Sequence, residues 1–135
     1  MTSPSFLTSS ALVALGGGLG AWLRFLTGVA WTRAIGPVAA TAFPLATLSV
    51  NVIGSLAMGL LAGWLARTGT AGEPWRLLLG VGVLGGFTTF SAFSLEFALL
   101  VERGELGTAM AYVAISLIAG FAALFAGLFV MRAVA

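Results

Sequence analysis

Hydrophobic residues form four long runs separated by short stretches that contain polar and turn-forming residues. The runs cover approximately residues 8–30, 43–66, 75–101 and 106–131. Each exceeds the length of about 20 residues that a helix needs to cross the hydrocarbon core of a bilayer. The intervening stretches, residues 31–42, 67–74 and 102–105, are predicted to be loops. The pattern predicts an all-α membrane protein with a single domain (1–135), four transmembrane helices and both termini on one side of the membrane.

Composition supports this prediction and excludes several functions. Of the 135 residues, 60% are hydrophobic and 7% are charged, and cysteine and histidine are absent. So few charges cannot cover the surface of a soluble protein, and the lack of cysteine excludes disulfides and thiolate metal sites. The net charge of +2 is not concentrated in a basic cluster, so nucleic acid is not an expected partner. Since no nucleophile–base pair or phosphate-binding loop is present, we do not expect an enzyme.

The third run contains the stretch around which the chain is organised, Gly85-Gly86-Phe87-Thr88-Thr89-Phe90-Ser91-Ala92-Phe93-Ser94. Glycine destabilises a helix interior by about 1 kcal/mol relative to alanine, and threonine hydroxyls can bond to nearby backbone. We therefore predict that the third helix is broken near residues 85–89, in mid-membrane. Irregular backbone is tolerated at that depth only where protein buries it or where it lines a polar cavity, so the break is a candidate binding site.

Polar residues in the second and fourth runs recur every four residues, which places each set on one face of a helix. The second run carries Thr47, Asn51 and Ser55, and the fourth carries Thr108, Tyr112, Ser116 and Gly120. For Thr47 and Ser55, hydrogen bonding between helices is the favoured interpretation. For Asn51, a role in function and a role in packing are equally good interpretations, because an amide in a membrane span is costly to bury.

Phenylalanines in the third run are spaced by three and four residues, at positions 87, 90, 93 and 97. Such a stripe usually packs against lipid or neighbouring helices. Here it borders the predicted break and hydroxyl-bearing residues, which favours a pore lining. The positive edge of a phenyl ring can face an anion without binding it strongly, and weak binding is what conduction requires.

Ionisable side chains within the runs are limited to Arg24 and Glu96. A proton-coupled exporter normally needs a carboxylate in the substrate path, and Glu96, near the end of its run, is the sole candidate. The arginines divide three against three between the two sides, so the positive-inside rule selects no orientation. Either Arg24 is buried and other signals fix the topology, or the chain inserts in both orientations.

Taken together, these motifs make the chain resemble the CrcB/Fluc family of fluoride channels over nearly its whole length. The resemblance rests on three strings: residues 16–25 (GGGLGAWLRF), residues 44–54 with Thr47 to Gly54 reading TLSVNVIG, and residues 85–96 (GGFTTFSAFSLE). The resemblance implies a dual-topology homodimer of antiparallel chains in a bacterial inner membrane. Two separate pores would conduct fluoride passively, and the partners would be fluoride, a second copy of the chain and the lipid bilayer.

The same resemblance implies roles for individual residues. Backbone carbonyls of Gly85 and Thr88 from each chain would hold a central, structural sodium ion as the cofactor. The predicted pore lining consists of Asn51, Phe90, Phe93, Tyr112 and Ser116, with Thr89 and Ser91 helping to hold the break. Arg24 would have a structural role at the pore vestibule or the dimer interface.

The chain departs from the family pattern at two positions. Gly120 stands where the polar track could continue with a hydroxyl, which puts that end of the pathway in doubt. Ala92 replaces a threonine that is often present, and we expect this to matter little. The alternative functions are a small dual-topology, proton-coupled exporter of cations and a non-transporting assembly subunit. Residues 12–23 lack the carboxylate that the exporter would need.

Overall fold

A computed structural model describes residues 4–134 as four long helices. They are α1 (Phe6–Ala42), α2 (Leu45–Thr68), α3 (Glu73–Glu102) and α4 (Leu106–Ala133), and all four are long and apolar enough to cross a membrane. A short 3₁₀ turn at Gly69–Gly72 joins α2 to α3. The predicted all-helical architecture with four apolar spans is therefore confirmed.

Helix α1 extends well beyond the predicted end of the first run. The stretch 31–42, expected to be a loop, is helical except at Gly36, whose φ of 82° and ψ of 159° lie outside the helical region. Pro37 follows directly and opens the last turns of α1, a position at which its missing N–H would have no helical partner. Trp31 also anchors this segment, because its Nε1–H donates to Ser49 Oγ on α2 at 3.1 Å. Only the Gly36-Pro37 pair interrupts α1.

Helix α3 is interrupted at Thr88 and Thr89, inside the predicted stretch 85–89. Both residues have extended backbone, with φ/ψ of −80°/159° and −152°/127°. The first part of α3, residues 73–87 (α3a), includes a π-helical segment at Arg76–Leu84. The second part, α3b, is Phe90–Glu102. Segments of π-helix often occur at functional sites, and this one changes which side chains share a face before the interruption.

The threonines, and not the glycines, form the interruption. Gly85 keeps helical dihedrals of −64° and −36°, whereas the Thr88 hydroxyl donates to the Leu84 carbonyl at 2.8 Å. The Thr89 hydroxyl accepts the Ala92 N–H at 3.2 Å and so caps the start of α3b. Capping by threonine stabilises a new helix start by about 1 kcal/mol. The hydroxyls thus end one helix and begin the next.

Glycines bring the helices into close contact. A Cβ added at Gly82 would lie 2.9 Å from the Cα of Gly16, and one at Gly86 would lie 3.0 Å from the Cα of Gly17. Substituting either residue would therefore push α1 away from α3a. The other closely packed pair is α2 with α4, where Gly59 faces the backbone of Leu124. Close approach of helices at glycines is typical of helix packing in membranes.

Few side chains are buried within one copy of the chain. Leu100, Ala109 and Tyr112 form a small buried cluster, while large apolar side chains cover the surface of every helix. At one end of the bundle, Arg103 Nη1 donates to the Thr41 carbonyl at 2.9 Å, which ties the end of α3b to the end of α1. The apolar surface fits a molecule enclosed by lipid or by a second copy.

Candidate functional site

The Asn51 side chain holds the interrupted backbone of α3. Its Nδ2 donates to the Thr89 carbonyl at 3.1 Å, and its Oδ1 accepts the Thr89 N–H at 2.9 Å. Buried backbone groups that lack partners destabilise a protein strongly, and this amide satisfies both groups of the residue at the interruption. An asparagine amide carries two N–H donors, so one donor remains for another ligand. Asn51 therefore has a structural task at the interruption, and its remaining donor leaves a role in function as a prediction.

Two backbone carbonyls beside the interruption lose their helical partners. The Thr89 N–H is used by Asn51, so it does not close a helical bond to the Gly85 carbonyl. The Ala92 N–H is used by the Thr89 hydroxyl, so it does not bond to the Thr88 carbonyl. These are the two carbonyls assigned above to a sodium ion. Unwound carbonyls in broken membrane helices coordinate such cations, so the donor set fits this group.

Two cavities border the interruption and share Asn51, Ser55 and Phe90 in their linings. The larger, of about 310 Å³, is also lined by Gly54, Met58, Thr88, Thr89 and Leu124. The smaller, of about 180 Å³, is also lined by Phe93, Ser116, Leu117, Gly120 and Phe121. Apart from the Asn51 amide and the hydroxyls, both linings are apolar. Neither contains a charged side chain, so an ion there would meet only neutral groups.

The two predicted pore phenylalanines have different surroundings. Phe93 packs within the chain, with its ring centroid 5.1 Å from that of Tyr112. Phe90 lies 5.8 Å from Phe93 between ring centroids, yet 79% of Phe90 is exposed. Both rings line the smaller cavity, but one copy of the chain supplies only one wall around Phe90.

Ser116 carries an unpartnered hydroxyl. Its Oγ is buried and has no hydrogen-bond partner among residues 4–134, and it lies in the lining of the smaller cavity. Buried polar atoms without partners are uncommon and call for an explanation. A ligand that passes through the cavity would supply one, because a serine hydroxyl can donate to an anion.

Tyr112 lies one helical turn from Ser116 but belongs to a different group. Its hydroxyl donates to Glu96 Oε2 at 2.7 Å, and the Thr47 hydroxyl donates to Glu96 Oε1 at 2.6 Å. Each carboxylate oxygen of Glu96 thus has a hydroxyl donor. The predicted hydrogen bonding of Thr47 between helices is confirmed. Its partner Glu96 was considered as a possible proton carrier, and the sequence did not predict that Thr47 and Tyr112 meet at this carboxylate. Two features of the sequence could have indicated these bonds: Thr47 lies one turn before Asn51 on the same face, and Glu96 places a carboxylate within a span.

The remaining predicted residues lie at the edge of this arrangement. Ser91 Oγ is 3.3 Å from Thr89 Oγ1, so it contacts the hydroxyl that caps α3b. Arg24 is half-buried on α1, and the ion pair found in the described part of the chain joins other residues, Glu73 and Arg76. Within residues 4–134 no group of three or more acidic, histidine or cysteine side chains could hold a metal ion. A cation bound by these residues would depend on backbone oxygens.

Comparisons with known proteins show which family the chain resembles. A family model described as "CrcB-like protein, Camphor Resistance (CrcB)" matches residues 11–128. A protein of Novosphingobium aromaticivorans described as "Fluoride-specific ion channel FluC" is 60% identical over 129 residues, covering 96% of this chain and 100% of the relative. Proteins with the same description from Rhodospirillum centenum and Caulobacter vibrioides are 56% and 52% identical over 120 and 124 residues. These cover 89% and 91% of this chain and 92% and 94% of the relatives.

Proposed function

The chain belongs to the CrcB-like family, and on that premise we propose that it conducts fluoride passively out of the cell across a bacterial inner membrane. The names of its relatives are those of fluoride channels and not of enzymes, which agrees with the expectation from the sequence. A passive exit suits fluoride, because hydrogen fluoride crosses membranes as a neutral acid and dissociates inside.

The observation that supports this proposal most strongly is the neutral lining of the two cavities beside the interrupted helix. Fluoride holds its water tightly, so a pathway must replace that water with hydrogen-bond donors. The free N–H of Asn51, the Ser116 hydroxyl and the edges of Phe90 and Phe93 are donors of this kind. Since none of them carries a charge, they would bind the anion weakly enough to release it.

A second copy of the chain would complete the pathway. Phe90 is 79% exposed, and an antiparallel partner would supply the missing wall for its ring. Four helices with few buried side chains enclose no aqueous pore by themselves. We infer an antiparallel, dual-topology homodimer with two pores, related by the twofold axis and each lined by the same residues.

Sodium would lie on the twofold axis as a structural ion. The carbonyls of Gly85 and Thr88 lack helical donors, as described above, and one copy offers two of them. Two oxygens are too few for the coordination shell of a cation. Two copies of the chain would supply four oxygens, which nearly complete such a shell. The ion would supply a fixed positive charge near the pathway, which lowers the electrostatic penalty for an anion in a low dielectric.

Fluoride efflux from liposomes tests the function. Purified protein is reconstituted with internal potassium fluoride, and valinomycin starts efflux, which a fluoride electrode follows. We expect rapid release of fluoride, and no release of chloride in a parallel chloride assay. Absence of fluoride release, or equal release of both ions, would contradict the proposal.

Dual topology is tested with a single cysteine, because the natural chain has none. Glu105 precedes α4 and its side chain makes no capping bond, so Glu105→Cys preserves the contacts of the fold. In intact spheroplasts, an impermeant thiol reagent should label about half of the copies if they insert in both orientations. Labelling of nearly all or nearly none would show a single orientation. Lysed membranes give the total that is available for labelling.

A further inference from the structure

Ser55 is on α2 and faces α4 at the position where the row of polar side chains on α4 is incomplete. It lines both cavities beside the interruption, together with Asn51, which is one helical turn earlier on the same face of α2. Opposite it on α4 is Gly120, which has no side chain. A Cβ added at Gly120 would lie 3.7 Å from Ser55 Oγ, so the Ser55 hydroxyl reaches the space that a side chain at position 120 would enter.

Ser116 provides the neighbouring hydroxyl in the same cavity. It precedes Gly120 by one turn of α4, and its buried Oγ has no partner among residues 4–134. A regular set of donors on α4 would continue from Ser116 to position 120, where glycine offers none. A partly dehydrated anion needs a new hydrogen-bond donor at each step. Because Gly120 has no side-chain donor, the proposed pathway has a gap at this position.

We propose that the Ser55 hydroxyl fills this gap and donates a hydrogen bond to fluoride as it passes Gly120. The proposal rests on the proposed function and identifies a donor for the same ion. The pathway would thus change helices, with donors from Asn51 and Ser55 on α2 and from Ser116 on α4. Ser55 is then a residue that contacts the ion, in contrast to the hydrogen bonding between helices that its position on α2 first suggested.

Moving the hydroxyl from one helix to the other tests the proposal. Ser55→Ala should lower the initial rate of fluoride efflux about tenfold, the scale of one hydrogen bond to a charged group. Adding Gly120→Ser should restore most of the rate, because a Cβ fits at position 120 and its hydroxyl would enter the same space. Thr27→Ala is the matched control, since the Thr27 hydroxyl bonds only to its own helix at the Leu23 carbonyl.

The outcomes separate this proposal from the proposed function. If wild-type protein releases fluoride and Ser55→Ala does so at the same rate, Ser55 is not a donor in the pathway. The same follows if Gly120→Ser fails to improve Ser55→Ala while both variants elute at the wild-type size. If the wild-type protein releases no fluoride, the function itself is wrong, and this inference is wrong with it.

A thiol at position 55 gives a second readout that does not depend on Ser55→Ala being well assembled. Because the natural chain lacks cysteine, Ser55→Cys introduces a single site for silver ions. We expect silver nitrate to block fluoride efflux by Ser55→Cys and to leave the wild type unaffected. Ile53→Cys, on the exposed surface of α2 and outside both cavity linings, should also be unaffected. Full efflux by Ser55→Cys with silver present would place position 55 outside the pathway.

Discussion

Two sets of hydrogen bonds join α2 to α3, one at Asn51 and one at Glu96, and they differ in whether a donor remains free. At the interruption, the neutral amide of Asn51 bonds to the backbone of Thr89 and keeps one N–H free. Two turns along α3b, the carboxylate of Glu96 accepts hydroxyl donors from Thr47 and Tyr112 on its two oxygens. Asn51 therefore keeps an N–H that can bind an ion, whereas the hydroxyls around Glu96 are used by its carboxylate.

Under the proposed function, this difference would allow a carboxylate to lie near the anion pathway. A charged carboxylate facing the ion would repel fluoride in a low dielectric, whereas the oxygens of Glu96 face the hydroxyls of Thr47 and Tyr112. The amide group carries no charge and offers a donor to the ion. We therefore propose that the Asn51 side chain contacts the ion and that Glu96, with Thr47 and Tyr112, has a structural role. The following changes test that division.

Asn51→Ala should have the largest effect. It removes both bonds to Thr89 and leaves a partly buried backbone N–H and carbonyl without partners, which destabilises the fold by about 1–3 kcal/mol. Because the variant also loses an ion donor, we expect fluoride efflux to fall by about 100-fold or more. Liposome efflux and thermal unfolding in detergent measure the two effects.

Ser49→Ala is the matched control for this change. Ser49 is on the same helix and takes part in hydrogen bonds with Trp31 and the Leu45 carbonyl, away from the interruption. It should keep wild-type efflux. Equal efflux from Asn51→Ala and Ser49→Ala would remove Asn51 from the pathway.

The phenylalanines should give the next largest effect. Phe90→Ile and Phe93→Ile replace an aromatic edge by an alkyl group that cannot face an anion favourably, so each should lower efflux by about tenfold, with dimers still formed. Phe93→Ile should also lower thermal stability, because Phe93 packs on Tyr112, whereas Phe90 is exposed in one copy.

Phe125→Ile serves as the control for these variants, since Phe125 is 65% exposed and lies outside both cavity linings. If Phe90→Ile and Phe93→Ile both transported fluoride at the wild-type rate, the assignment of these rings to the pathway would be wrong.

Glu96→Gln should have the smallest effect. Glutamine keeps one acceptor oxygen, and hydroxyls can reverse their direction to accept from its amide, so efflux should stay within about threefold of the wild type. Glu96→Ala should instead lower thermal stability, because it leaves the Thr47 and Tyr112 hydroxyls without partners. Glu102→Gln, at the exposed end of α3b, controls for the loss of charge. Abolished efflux by Glu96→Gln would favour the proton-coupled exporter.

What the sequence reveals depends on how local each feature is. The four spans follow from runs of apolar residues, and the interruption of α3 follows from local side-chain chemistry, although the hydroxyls of Thr88 and Thr89 cause it and Gly85 does not. The sequence also indicated that Asn51 was unusual, because burying an amide in an apolar span is costly unless the amide is hydrogen-bonded or binds a ligand.

Contacts between residues that are distant in the sequence could not be predicted from local patterns. The pairing of Asn51 with Thr89 joins residues 38 positions apart, and that of Thr47 with Glu96 joins residues 49 apart. Helical periodicity places each residue on a face but does not give the vertical register between two helices. The prediction of a loop at residues 31–42 was wrong: Gly-Pro pairs usually mark loops, whereas here Pro37 opens new helical turns.

We propose that fluoride crosses as an anion over neutral donors, without a coupled proton. The most direct test is the initial rate of fluoride efflux from proteoliposomes, measured with equal pH on both sides and again with an imposed pH gradient. With valinomycin setting the membrane potential, we predict a fast rate at equal pH that changes with the potential and not with the pH gradient. An efflux that stops at equal pH and requires the gradient would show that transport is coupled to protons.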